Sequence, residues 1–420
     1  MLKAFLLTFL ASFLGIFALQ SIPREPLPPL RTEHEGWWTI QSVDTMKYSR
    51  DLAREKLKSP SFDQTIEQQV ASIASTGATY VAIATPYDTE FIPFLTRWVN
   101  AARRHNLHVW FRGNFSGWER WFGYPAISRE EHTKKIGEFI AANPDLFEAG
   151  DIFTPCPECE NGGPGDPRKT GDVAGHRLFL ITEYEKAAQA FQTIGKAVSP
   201  GYFSMNYDVA KTIMDPETAR ALGGVVTIDH YVRTPEQLVD DIDNLARLTR
   251  GKIFLGEFGA PIPDIHGSMS DTAQAEWVSK ALLLLAKDSN VYGINYWVGS
   301  GGSSAIWHDD GSPKLAVSSL TGAFIPKQAS GSLRNQFNKP IMNAEIISAY
   351  KKTTSNQSGQ FIIPVLLSEK TITIRSVNYP ENTIQIDTLI KSKFIIMAKT
   401  KISLLERVQI IYNAIFRNAQ

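Results

Sequence analysis

The chain has few cysteines, no surplus of either charge and a single long apolar run. Lys plus Arg number 43 and Asp plus Glu 43, a formal charge of zero. With no basic excess to neutralise phosphates, nucleic acid is not an expected partner. Cys156 and Cys159 are the only cysteines among 420 residues, and a structural zinc site needs four ligands. A thioredoxin-like pair would open a helix, whereas "CPEC" leads out of a strand among prolines. An oxidised pair suits an exported protein; two free thiols fit as well. The sequence has no His-x-His pair and no clustered His/Asp set, so no metal is expected. "PECENGGPGDPRKTGD" is rich in Gly and Pro but lacks the Gly-Lys-Ser/Thr of a phosphate loop. It reads as a long site-forming loop, and no cofactor is expected.

The apolar run lies at the start, from Ala4 to Leu19 behind one Lys. Residues 1–24 read as a Sec-type export segment, or as a membrane anchor if it stays uncut. Gln20 after Ala18-Leu19 makes a poor small-x-small cleavage site, which favours the anchor. The bulk of the chain is expected outside the cytoplasm, secreted or tethered. "PREPLPPLR", within 25–35, is a stiff proline-rich spacer.

From Gly36 onward, short apolar runs alternate with amphipathic stretches. The strand candidates are "GWWTIQSV", "ATYVAIAT", "LHVWFRGN", "GDIFTPCP", "GYFSMNYD", "GVVTIDHY", "KIFLGEFG" and "VYGINYWV". Between them lie helical patterns such as "FDQTIEQQVASIAST" and "TAQAEWVSKALLLLAKD". Eight strands, mostly followed by helices, predict a (β/α)8 TIM barrel over 36–325. Residues 326–358 read as a polar linker. Residues 359–420 read as a small C-terminal, mainly-β extension.

Reactive side chains of such barrels gather at the C-terminal ends of the strands. Those ends carry Arg112 and Asn114, Glu158 and Glu160, Asn206 and Tyr207, Asp229, His230 and Tyr231, Glu257, and Trp297. Glu257 is the most telling, a carboxylate at the tip of an apolar strand, flanked by Gly256 and by Gly259 after Phe258. Burying an unpaired charge is costly, so Glu257 is either paired with Arg112 or does chemistry. The glycines would let a sugar approach the backbone. Two carboxylates on different strands can divide glycoside hydrolysis between nucleophile and proton donor.

"GEFG", "DHY", "YW", the strand-four glutamates and "IWHDDGSPKLAVSSL" together resemble the clan-A retaining glycoside hydrolases, cellulase- and mannanase-like members of family 5 among them. The resemblance covers roughly 36–325 and leaves the C-terminus unaddressed. It implies an exported hydrolase that cleaves β-linked oligo- or polysaccharide by double displacement. Glu257 would be the nucleophile, and Glu158 the acid/base, with Glu160 as second choice. Tyr231 or His230 would steady Glu257, Trp297 would floor the sugar subsite, and Arg112 would balance charge. Asn114 and Asn206 are further expected substrate contacts. The family's Asn before the acid is missing, because Pro157 stands there. The alternative is a non-catalytic carbohydrate-binding barrel. The expected partner is a carbohydrate in either case, with a membrane tether through the N-terminal segment.

Overall fold

The computed structural model describes residues 36–366, 369–392, 394–399 and 408. The expected export segment 1–24 and spacer 25–35 lie outside them. Among the described residues, no helix is long and apolar enough to cross a membrane.

Eight parallel strands build the main body: β1 (Ile40–Asp44), β2 (Tyr80–Ile83), β3 (His108–Phe111), β4 (Ile152–Phe153), β5 in two pieces (Ser199–Pro200 and Ser204–Asn206), β6 (Val225–Asp229), β7 (Lys252–Phe258) and β8 (Val291–Tyr296). Neighbours pair in sequence order, and β1 also pairs with β8. The first piece of β5 pairs with β4 and the second with β6, so the split strand closes the ring. The split falls where Gly201 (φ 114°) and Tyr202 (φ 53°) both leave the extended region.

Helices follow the strands: α1 (Phe62–Ser75), α2 (Ile92–Arg104), α3 (Arg129–Ala142), α4 (Val173–Thr193), α5 (Tyr207–Ile213), α6 (Pro235–Thr249), α7 (Asp271–Lys287) and α8 (Leu315–Phe324). Their starts are written locally. Ser128, Asp172, Thr234 and Ser270 each accept a hydrogen bond from the backbone N–H three residues on, satisfying a donor the helix itself leaves free. On α2, Phe94, Leu95, Trp98, Val99, Ala101 and Ala102 are buried, the apolar face a barrel helix turns inward. The barrel interior is packed: Trp110 lies 4.7 Å from Phe254, and its Nε1 donates to Thr154 Oγ1 at 2.8 Å.

The stretch 326–358, expected as a linker, is structured. It holds β9 (Gln328–Asn335), β10 (Glu345–Ile347) and β11 (Lys352–Thr354), which continue into β12 (Gln360–Pro364), β13 (Thr371–Arg375), β14 (Asn382–Gln385), α9 (Ile386–Ser392) and β15 (Phe394–Met397). One sheet runs β12-β9-β15, the other β11-β10-β13-β14. The linker reading missed β9 because its outward positions are Gln328 and Ser330, while Ala329 and Leu333 face a separate core with Ile346, Phe361, Ile363 and Ile374. Ser and Gly lower the average hydrophobicity without breaking the alternation a half-buried strand needs.

Candidate active site

The end of β3 delivers Arg112 into the barrel mouth, where it is 2% exposed. Its Nη1 donates to Asp44 Oδ2 at 2.5 Å and to Glu257 Oε1 at 3.0 Å. Nη2 donates to Ser204 Oγ at 3.0 Å and lies 3.4 Å from Asp229 Oδ2. Asp44, at the tip of β1, also accepts from the Met46 N–H at 2.6 Å and from Asn295 Nδ2 at 3.2 Å. One guanidinium thus serves three carboxylates from β1, β6 and β7. Burial opposes the charge of Arg112, but Glu257, Asp229 and Asp44 outweigh it and hold the guanidinium protonated.

Burial and the nearby carboxylates push Asp229 far above the ordinary carboxylate range, and push Glu257 up as well. The two differ in their donors. Glu257 has Arg112 on one oxygen and the Tyr231 hydroxyl donating to the other at 2.7 Å, and donors of this kind favour the ionised form. Asp229 meets Arg112 at longer range, so the proton settles on Asp229 before Glu257.

Glu257 reaches this position through a bulge. Ile228 of β6 faces Leu255, but Asp229 faces Glu257, so Gly256 is an extra residue on β7. The pairing with β8 shifts in the same place, from Leu255–Ile294 to Phe258–Tyr296. Bulges of this sort re-aim side chains beside active sites. Gly256 does not open the backbone to a sugar, as its position beside Glu257 suggested. A Cβ there would meet Asp229 Oδ1 at 2.5 Å and Ser204 Cβ at 3.0 Å, so protein neighbours fill the space. Gly259 is similarly closed, with a built Cβ 2.4 Å from the Trp297 carbonyl.

Across the mouth, the loop after β4 is folded back on itself by a Cys156–Cys159 disulfide, which leaves only Pro157 and Glu158 between the bridged residues. Glu158 is in the left-handed region (φ 45°, ψ 44°), where a non-glycine residue costs about 1–2 kcal/mol. Its backbone N–H donates to the Ser204 carbonyl at 2.7 Å. One carboxylate oxygen each from Glu158, Asp229 and Glu257 lies within 4.8 Å of the other two. Such oxygens also suit a hard divalent cation, but Arg112 already places positive charge between Glu257 and Asp229. Glu160 turns away from that cluster. It is 4% exposed, and its Oε1 accepts from both the N–H (2.7 Å) and Nδ2 (3.1 Å) of Asn206. Burial pushes its carboxyl up to about 7.

The remaining expected contacts divide. Trp297 lies beside Tyr231, ring centroids 5.9 Å apart, with Lys47 Nζ 5.4 Å from its ring. His230 does not steady Glu257 through its ring. The imidazole stacks on Tyr207 at 4.3 Å and holds Asp241 at 2.9 Å, while only its backbone N–H meets the Glu257 carbonyl. Asn114 is also turned inward. Its Oδ1 meets His132 Nε2 at 2.8 Å, and its Nδ2 points to Cys156 Sγ at 3.7 Å. Asn206 is spent on Glu160. Sequence reasoning missed Asp44, Ser204, Asn295 and Asn161. Only Asp44 carried the signal that found Glu257, a carboxylate ending an apolar strand.

No protein-family model matches the chain, and no curated protein matches it by sequence. Solved structures do. The GH5_18 protein of Streptomyces cattleya, solved in complex with Manb1-4GlcNAc, is 12% identical at a TM-score of 0.50, over 71% of this chain and 85% of its own. β-Glucuronidase 2 of Bacteroides uniformis is 11% identical at 0.46, over 80% and 44%. The β-glucuronidase of Ruminococcus gnavus is 13% identical at 0.44, over 62% and 46%. The chain therefore spans less than half the length of the two glucuronidases. At 12% identity the likeness to the Streptomyces cattleya protein bears on the fold alone, the TIM barrel.

Proposed function

We propose that the chain is a retaining glycoside hydrolase acting on a β-linked carbohydrate, with Glu257 as nucleophile and Glu158 as acid/base. The observation that carries this reading is the approach of Glu158 and Glu257, with one carboxylate oxygen of each within 4.8 Å of the other. Retaining enzymes hold their two carboxyls about 5–5.5 Å apart, whereas inverting ones leave roughly 6.5–9.5 Å for a water. The fold neighbour from Streptomyces cattleya, solved with a β-linked disaccharide, is in keeping with that substrate class.

In the first step Glu257 attacks the anomeric carbon while Glu158 gives a proton to the departing glycosidic oxygen. A covalent glycosyl–enzyme forms and the aglycone leaves as an alcohol. In the second step Glu158 takes a proton from water, whose oxygen attacks the anomeric carbon and releases Glu257. Arg112 and Tyr231 each hold one oxygen of Glu257, fixing its orientation for attack. Trp297 offers a ring face to the sugar. Export, secreted or tethered, rests on residues 1–24 and is supported by the disulfide.

The test is turnover of aryl β-glycosides by the full chain, with NMR of the first-formed anomer. Retention of configuration, and loss of activity by about 10³-fold or more in Glu257→Gln, are expected. An inverted first product sinks the mechanism. Glycan binding that survives Glu257→Gln, with no wild-type turnover, replaces the enzyme by a carbohydrate-binding barrel.

A further inference from the structure

The acid/base loop contains a second glutamate, buried where Glu158 is half-buried, that the proposed reaction does not use. Glu160 Oε1 is gripped by two donors of Asn206, while its Oε2 is buried with no hydrogen-bond partner among the described residues. Asn206 Nδ2 also approaches Asn161 Oδ1 at 3.5 Å, and Asn161 Nδ2 donates to Glu158 Oε1 at 3.0 Å. Four side chains thus run in series from the buried Glu160 to the carboxyl of Glu158.

We propose that Glu160, Asn206 and Asn161 are positioning residues that aim the Glu158 carboxyl at the leaving oxygen, doing from behind the loop what no residue before Glu158 can do. This rests on Glu158 being the acid/base. The reasoning is geometric. Pro157 has a hydrocarbon ring where an amide would otherwise precede the acid, and it offers no hydrogen bond. Glu158 itself sits in the left-handed region, a conformation kept only where its surroundings over-determine it. Its backbone is fixed by Ser204, and the Asn161 N–H donates to its carbonyl at 2.8 Å. The side chain is a separate matter. The carboxyl lies beyond further rotatable bonds, and Asn161 is the donor that fixes it. Asn161 is exposed, so it needs its own anchor. Asn206, at the end of β5, provides one that moves with the barrel wall. Glu160 locks the Asn206 amide from the buried side.

The relay and a direct acid role for Glu160 make opposite forecasts. Glu160→Gln keeps an oxygen acceptor for Asn206 but carries no transferable carboxylic proton. Glu160→Ala removes both.

The experiment compares full-chain wild type, Asn161→Ala, Glu160→Gln, Glu160→Ala and Glu158→Ala on two glycosides of one sugar. One has a dinitrophenyl leaving group, which departs without protonation. The other has an alkyl leaving group, which requires it. For Asn161→Ala, kcat/KM should fall about tenfold or more on the alkyl glycoside and little on the dinitrophenyl one, since a misaimed acid loses part of a contribution of 10²–10⁴. Glu160→Gln should stay within about threefold of wild type, and Glu160→Ala should follow Asn161→Ala. Azide should rescue Glu158→Ala as the glycosyl azide and leave Glu160→Ala unrescued. Equal loss on both leaving groups in Asn161→Ala, or no loss, overturns the relay while leaving the hydrolase reading intact. Azide rescue of Glu160→Ala, with Glu160→Gln equally inactive, makes Glu160 the acid and overturns both assignments. If the wild type turns over neither glycoside, the relay falls with the hydrolase. Asn161→Ala changes an exposed turn residue and is expected to fold even where Glu160→Ala does not.

Discussion

Each oxygen of Glu257 has its own donor, Arg112 at 3.0 Å on one and Tyr231 at 2.7 Å on the other. Burial is the largest influence on this carboxyl and raises it above its ordinary 4.5, with Glu158 and Asp44 adding to the rise, while Arg112 and Tyr231 oppose it. Attack requires the ionised form, so activity is lost as pH falls through the raised value. The acidic limb of the kcat/KM profile is therefore expected above the ordinary carboxylate range. Tyr231→Phe removes a donor that favours the carboxylate and should move that limb upward by about one pH unit. A limb near 4.5, or a downward shift in Tyr231→Phe, would contradict this account. Burial likewise keeps the Tyr231 hydroxyl protonated, so it stays a donor throughout the working range.

At the scale of single elements, two irregularities set the site. The bulge at Gly256 brings Glu257 level with Asp229, and the disulfide-bracketed turn after β4 presents Glu158. In regular strands, one extra residue turns every following side chain to the other face. The bulge is thus what allows β7 to bury Phe254 and Leu255 and still deliver Glu257 to the mouth. Gly256→Ala puts a methyl 2.5 Å from Asp229 Oδ1. It is expected to cost about 1–3 kcal/mol by overpacking, read as a lower urea midpoint with unchanged slope, and to lower activity by displacing Asp229 from Arg112. An unchanged midpoint would mean that β7 can slide to admit the methyl.

Over the whole molecule, the extension begins earlier than its sequence suggests, with β9 starting at Gln328 directly after the helix that ends at Phe324. Strand β9 pairs with β12 antiparallel and with β15 parallel. A chain ending at Ser358 would keep β9 and delete both partners, exposing two unpaired edges, a template for association. A chain ending at Pro326 deletes the strand as well. Size-exclusion chromatography should show the chain ending at Ser358 aggregating and the chain ending at Pro326 monodisperse. The reverse order would show that β9 is held by the barrel rather than by its own sheets. Tyr350 and Leu366 pack against the barrel core, so the shorter chain is expected to lose some stability while keeping its fold.

Most of the barrel is legible in the sequence because period and burial coincide there. Six of the eight quoted strand segments contain their strands whole, "GWWTIQSV" stops one residue short of β1's end at Asp44, and "GYFSMNYD" holds only the second piece of β5; both quoted helical patterns are helices. Glu257, Arg112 and Tyr231 were visible because polar groups at the tips of apolar strands have no place in a core. Asp44 satisfied the same rule and could have been found by it. What the sequence could not show is direction. Whether His230 faces Glu257 or Asp241, whether Asn114 lines the mouth or holds His132, and which of Glu158 and Glu160 approaches Glu257 depend on a bulge, a left-handed residue and neighbours a hundred positions away. Residue type and spacing decide what can react and on which strand end it sits. Only the tertiary contacts decide where each side chain points, because local preferences differ by about a kcal/mol while burying a carboxylate unpaired costs several.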